Sequence, residues 1–138
     1  EARLVDRVLP MYYENENAHD FSSDRTSRGE VDAVGWRQAD AGGWFSFALS
    51  VDPNTPLVLR LRHRSSDSGR YMEIYVDDRL LATSAFDGKG ADRFVFAEYE
   101  LPSELAKGKE KITVKLQAGP QLPAPRIFEV AVMRKKAR

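Results

Sequence analysis

The strongest constraint on this chain is a two-residue alternation of apolar and polar side chains that returns in segment after segment. In 44–51, WFSFALSV, Phe45, Phe47, Leu49 and Val51 fall on one side and Trp44, Ser46, Ala48 and Ser50 on the other. In 57–64, LVLRLRHR, Leu57, Leu59 and Leu61 oppose Arg60, Arg62 and Arg64. Met72, Ile74 and Val76 line one face of 70–77, and Ile112, Val114 and Leu116 one face of 111–117. Phe128, Val130 and Val132 do the same in 126–133. Only a strand puts every second side chain on one side, so each segment reads as a half-buried strand. Residues 79–86 and 93–101 complete the set, although RFVFAEYEL leaves its inward face undefined.

Turn chemistry separates these segments. Asp52-Pro53-Asn54, the polar loop 65–69, Asp77-Asp78, FDGKGAD at 86–92 and the proline-rich AGPQLPAP at 118–125 all interrupt the alternation. Asp77-Asp78 is placed as a tight hairpin turn, with Gly the better second residue. Pro102 to Gly108 has room for one helical turn capped by Ser103. The expectation is an all-β fold of seven or eight strands: one antiparallel jelly-roll β-sandwich spanning 1–138.

Residues 10–43 break the pattern. They are polar and show little periodicity, yet contain Tyr12, Tyr13, Phe21 and Trp36. Aromatics argue against disorder, so the stretch is read as a long, ordered, packed loop, a feature that is usually functional.

Charge excludes some partners. With 21 basic and 21 acidic residues, the chain lacks the net basic face that nucleic acid or an anionic membrane surface requires. No apolar run approaches the roughly 20 residues of a membrane span. The chain has no cysteine, which removes disulfides, thiolate metal sites and cysteine nucleophiles together. A start at Glu1 without an apolar leader fits a domain cut from a longer protein.

Candidate chemistry is sparse. The two histidines, His19 and His63, have no second histidine at a ligand spacing. No G-x-S-x-G, phosphate loop or dinucleotide fingerprint is present, and Gly88-Lys89-Gly90 reads as a turn. Glu14 and Glu16 form the densest carboxylate pair, but nothing in the sequence marks a catalytic acid and base.

Sugar recognition fits better. An apolar sugar face stacks on an aromatic ring while charged and amide groups take the hydroxyls. Trp36, Arg37 and Asp40, with Tyr12, Glu14 and His19, supply that mixture. The competing reading has Trp36 and Trp44 closing the sandwich edge and Arg37 paired with a carboxylate. A structural calcium ion is possible through residues of the type of Asp6, Asp87, Asp92 and Glu129. The row Arg60, Arg62 and Arg64 fits an acidic sugar such as a uronate, a partner domain, or plain solvation.

The order VDRVLP (5–10), WRQADAGGWFSFALSVDPNTPLVLRL (36–61), GRYMEIYVDDRLLA (69–82), FAEYELPSEL (96–105), KITVKLQA (111–118) and RIFEVAVMR (126–134) resembles a known domain. It is similar to the C-terminal galactose-binding-like β-sandwich of the bacterial β-L-arabinofuranosidase-like glycoside hydrolase family. In that family a helical barrel with a zinc-bound cysteine cluster and a glutamate carries the chemistry, and no part of it is in this chain. The resemblance therefore implies a non-catalytic accessory domain of a secreted bacterial glycoside hydrolase, in the periplasm or outside the cell. It would bind a glycan or, alternatively, pack on the catalytic barrel with no ligand at all.

Overall fold

Each alternating segment forms a strand, and two more strands lie where the alternation fails. The computed structural model describes residues 2–88 and 90–136. In chain order its elements are β1 (Leu4–Val8), α1 (Tyr13–Asn17), β2 (Ser22–Val31), β3 (Val34–Ser50), β4 (Leu57–Arg64) and β5 (Ser68–Val76). There follow β6 (Arg79–Asp87), β7 (Phe94–Leu101), α2 (Ser103–Ala106), β8 (Lys111–Ala118) and β9 (Glu129–Arg134). One sheet runs β1-β9-β4-β7 and the other β2-β3-β8-β5-β6, with antiparallel pairing throughout. This is the antiparallel jelly-roll sandwich expected from the alternation.

The inward sets are those the period assigned except at Phe128, which is buried but packs edge-on against Phe94 at 4.9 Å, outside the main core. Phe45, Phe47 and Leu49 of β3 join Ile74 of β5 and Val114 and Leu116 of β8 in one core with Leu59 and Leu61 of β4 and Val130 and Val132 of β9. Each such side chain contributes roughly 1.5–3 kcal/mol on burial. In β7 the inward set is Val95, Ala97, Tyr99 and Leu101, because these pair across the sheet with His63, Leu61, Leu59 and Leu57. Ala131 and Met133, on the opposite side of β9, are buried too, in a small cluster with Val58 and Leu4.

The structure corrects the reading of 10–43 as one irregular stretch. It holds α1, all of β2 and the first part of β3, and β2 and β3 form a long hairpin from Val31↔Val34 to Ser22↔Ser46. Its turn is Asp32-Ala33, both at positive φ (50° and 63°). That conformation suits a two-residue hairpin but normally draws Asn-Gly or Asp-Gly, so the composition hid the turn. Polarity hid β2: it is an edge strand with SSDRTSRGEV mostly exposed, and edge strands stay charged to avoid pairing with other chains. Asp77-Asp78 turns as expected, at φ 47° and 67°. The helical turn at 103 is present, but Pro102 precedes it as the cap residue and no side chain caps it.

A bulge divides β3. Pairing with β2 slips between Asp24 and Thr26, opposite Gly42-Gly43. A side-chain carbon on Gly43 would meet the Arg25 carbonyl oxygen at 2.2 Å, and Gly42 has φ 76°. Beyond the bulge, 34–40 leaves β8 and pairs instead with the loop before β9, through Arg37↔Ile127 and Ala124 N to the Ala39 carbonyl at 2.9 Å. The hairpin tip thus projects past one end of the sandwich with two sides of its own.

Ala33 at positive φ carries a steric cost that glycine does not. Ala33→Gly is expected to raise stability by about 0.5–1 kcal/mol, read as a higher melting temperature; a lower one would show that the turn is not left-handed at this residue.

Candidate functional site

The projecting hairpin sorts the candidate residues onto two sides. Arg37 points toward α1. Its Nε donates to Glu16 Oε2 at 2.8 Å and its Nη2 to Glu16 Oε1 at 3.0 Å, while Nη1 donates to Thr26 Oγ1 at 3.1 Å. Glu16 is fully buried and Arg37 is 6% exposed. Phe21 lies against the guanidinium, its ring centroid 4.5 Å away. Arg37 is therefore a buried clamp: each of its three side-chain nitrogens donates a bond inside the protein. This is the carboxylate pairing weighed above as the alternative.

Tyr12, Glu14 and His19 belong to the same side. Tyr12 Oη accepts the Gly35 amide at 3.3 Å, and Glu14 is exposed on α1. His19 places Nδ1 2.7 Å from the Asn15 carbonyl and Nε2 3.0 Å from Asp6 Oδ1. Asp6 Oδ2 in turn accepts the Ser50 amide at 2.8 Å. His19 fastens α1 to β1 and β3.

Trp36 and Asp40 occupy the other side. The indole lies on Gly29, directly across the hairpin; a carbon added at Gly29 would sit 2.6 Å from Trp36 Cζ2. Beside the ring stands Arg126, its guanidinium carbon 6.0 Å from the ring centroid. Buried Asp67 holds Arg126 in place, accepting Arg126 Nε (2.9 Å), Nη2 (2.7 Å) and N (2.8 Å). Arg70 donates to Gln38 Oε1 at 2.6 Å, Gln38 to Asp40 Oδ1 at 3.3 Å, and Ser27 to the same Asp40 oxygen at 2.9 Å. A half-buried indole thus sits at the head of a preorganised row of Arg, Gln and Asp. Gln38, Arg70, Asp67 and Arg126 were not singled out in the sequence, because Asp67 and Arg126 lie 59 positions apart and only the fold joins them.

Shallow depressions lie nearby among the described residues. One of about 220 Å³ is lined by Tyr71, Gly119, Pro120, Gln121 and Leu122. Below it Tyr71 and Tyr75 both donate to Glu73, at 2.8 Å each, and these bonds to the carboxylate push both phenols above their usual pKa. The second, of similar volume, lies at the sandwich end between His63, Asp67, Phe86 and Asp87. His63 packs edge-on against Phe86 at 5.1 Å.

The residues considered for calcium are dispersed. Asp6 serves His19, Glu129 pairs with Arg60 and Arg7, and Asp92 takes Arg64 Nε at 2.9 Å and Ser66 Oγ at 2.6 Å. Those last two bonds lower the Asp92 pKa to about 2. Among the described residues no group of three or more His, Cys, Asp or Glu is placed to hold a metal ion. Lys89 of the Gly88–Gly90 turn lies outside the described residues.

Solved structures of carbohydrate-binding modules match this two-sheet jelly roll. A family 6 carbohydrate-binding module from Clostridium cellulolyticum, in complex with xylose, superposes with TM-score 0.64 at 13% identity, covering 94% of this chain and 96% of that one. A module from Cellvibrio mixtus lichenase 5A, in complex with cellotriose, gives 0.61 at 14% identity, covering 96% and 99%. A family 35 module from Clostridium thermocellum gives 0.62 at 14%, covering 84% and 93%. At such identities the likeness establishes the fold. The chain belongs to the family of unknown function DUF6805, whose model matches residues 1–133. No curated protein matches it.

Removing one partner of a buried ion pair leaves the other charge uncompensated, at a cost of about 3–5 kcal/mol. Glu16→Ala is expected to lose that much in urea denaturation, and Glu16→Ala combined with Arg37→Met to lose less than Glu16→Ala alone. A double variant as unstable as the sum of the singles would show that the pair is not acting as a unit.

Proposed function

We propose that this chain is a non-catalytic glycan-binding module and that the Trp36 ledge is its binding surface. The observation that carries the reading is the Trp36 indole, backed by Gly29 and flanked by Arg126, Gln38 and Asp40. A flat apolar ring beside fixed polar groups matches the mixed character of a sugar, whose ring carbons stack while its hydroxyls take hydrogen bonds. Ligand specificity then falls to Asp40 and Arg126, since Arg37 and His19 serve the scaffold beneath. The named structural relatives support glycan binding, because two of them hold xylose and cellotriose.

The finer reading is an accessory domain of a secreted bacterial glycoside hydrolase of the β-L-arabinofuranosidase-like family, in the periplasm or outside the cell. The order of motifs from VDRVLP to RIFEVAVMR supports it, as does the origin of one relative in a lichenase. Its catalytic domain would be the protein partner.

The test is a screen of the purified chain on plant and host glycans, with Trp36→Ala and Gly29→Ala beside it. Binding is expected to be saturable and to weaken at least about tenfold in Trp36→Ala, or roughly 1.4 kcal/mol, with the melting temperature unchanged. Gly29→Ala, which displaces the indole without removing it, is expected to weaken binding as well. A folded chain that retains no glycan would overturn the reading and leave the purely structural role on the catalytic barrel.

A further inference from the structure

The outer face of β4 and β7 carries an alternating stack of cations and rings, which at its Arg64 end meets the β2–β3 turn, with Arg64 Nη1 3.5 Å from Asp32 Oδ2. Arg60 lies 4.3 Å from the Phe96 centroid, Arg62 4.0 Å from Phe94 and 5.8 Å from Phe96, and Arg64 4.4 Å from Phe94. Register explains the order, because Arg62 pairs directly with Phe96 and Arg64 with Phe94. Phe94 is anchored below, edge-on to Phe128 at 4.9 Å. Phe96 is 53% exposed on the edge strand.

Carboxylates nearby are already engaged. Glu129, opposite Arg62 on β9, accepts Arg60 Nη2 at 2.9 Å and lies 3.5 Å from Arg7 Nη1. Glu98 faces Arg3 at 3.5 Å, Glu100 meets Lys135, and Asp92 meets Arg64. Arg62, in the middle of the stack, is different: among the described residues its side chain has no hydrogen-bond or ion-pair partner, and its Nε is buried without an acceptor.

We propose that this face is a second binding site, for a uronate residue of an acidic glycan. The planar guanidinium of Arg62 takes the sugar carboxylate through its Nη1 and Nη2 edge, the two-pronged geometry that arginine alone provides. The exposed Phe96 ring takes the apolar face of the same sugar. Two features favour a sugar acid over a protein carboxylate: the ring stands open on an edge strand, and charge and ring lie side by side as they do within a uronate. Since the site shares no residue with the Trp36 ledge, it stands or falls independently of that ledge.

The experiment uses the whole chain, as wild type and as Arg62→Lys, Phe96→Ala and Trp36→Ala. Each is run in affinity gels containing polygalacturonate or neutral galactan, and ¹⁵N spectra of the arginine Nε–H groups are recorded during titration with galacturonate, galactose and acetate. Polygalacturonate is expected to retard the wild type, and retardation is expected to fall at least tenfold in Arg62→Lys and Phe96→Ala while surviving in Trp36→Ala. Arg62→Lys keeps the charge and so separates a two-pronged contact from general attraction. The Arg62 Nε–H signal is expected to move with galacturonate and not with galactose, and less with acetate. Retardation unchanged in Arg62→Lys, or lost only in Trp36→Ala, would overturn this site without touching the proposed glycan-binding function. Polyglutamate binding as tight as polygalacturonate would overturn it too, by assigning the face to an acidic protein.

Discussion

The bidentate bond between Glu16 and Arg37 is the interaction on which the β2–β3 hairpin end of this molecule depends. Glu16 sits in a five-residue helix, too short to be stable on its own. Arg37 sits in the part of β3 that projects beyond the main sheet. Neither element has enough apolar surface to hold itself in place, and the ion pair joins them. Its desolvation cost is met by geometry: two direct bonds, a third from Arg37 to Thr26, and the Met11 amide, which also donates to Glu16 Oε2, at 3.0 Å. Phe21 then bridges the clamp to the core, lying against Arg37 on one side and 5.3 Å from Phe47 on the other. The scaffold and the hairpin are in this way one packed unit.

The same hairpin shows how a strand separates structural from surface chemistry. Neighbouring residues on β3 point to opposite sides, so Trp36 and Arg37 cannot serve one ligand. Arg37 is consumed by the protein, and that fixes the strand whose other side carries Trp36, Gln38 and Asp40. On that side the network is anchored from a distance by Asp67, a buried carboxylate with Arg126 and Arg70 around it. Side chains held by such buried anchors meet a ligand with their rotamers already set, which reduces the ordering cost of binding.

How much of this was legible in the sequence follows from which interactions are local. The sandwich was, because apolar alternation in 44–51, 57–64, 70–77 and 111–117 needs no partner to be recognised. β2 was not, because an edge strand with both sides wet has no reason to alternate, and its turn uses Ala33 where glycine would have announced it. Trp36 and Asp40 stood out by type, and their placement on a common side is what the period of β3 implies once β3 is known to begin at Val34. Arg37 and His19 also stood out by type, but their partners Glu16 and Asp6 are 21 and 13 positions away. Only the folded chain shows that both are already satisfied. Arg126 and Asp67 carried no local signal at all.

The arginines of β4 illustrate the limit of reading a charged face as a solvated one. Alternation correctly placed Arg60, Arg62 and Arg64 outward, yet Arg64 is only 7% exposed. The phenylalanines opposite belong to β7, whose inward side the sequence left undefined, and they turn a row of surface charges into a stack of half-buried cations. Burial changes what those charges do. Arg60 and Arg64 are offset by Glu129 and Asp92, so their positions are set by pairing. Arg62 is held by rings alone, and rings stabilise a cation without consuming its hydrogen-bond donors. A guanidinium positioned by stacking, with donors still unspent, is poised for an acceptor from outside the chain in a way that its two paired neighbours are not.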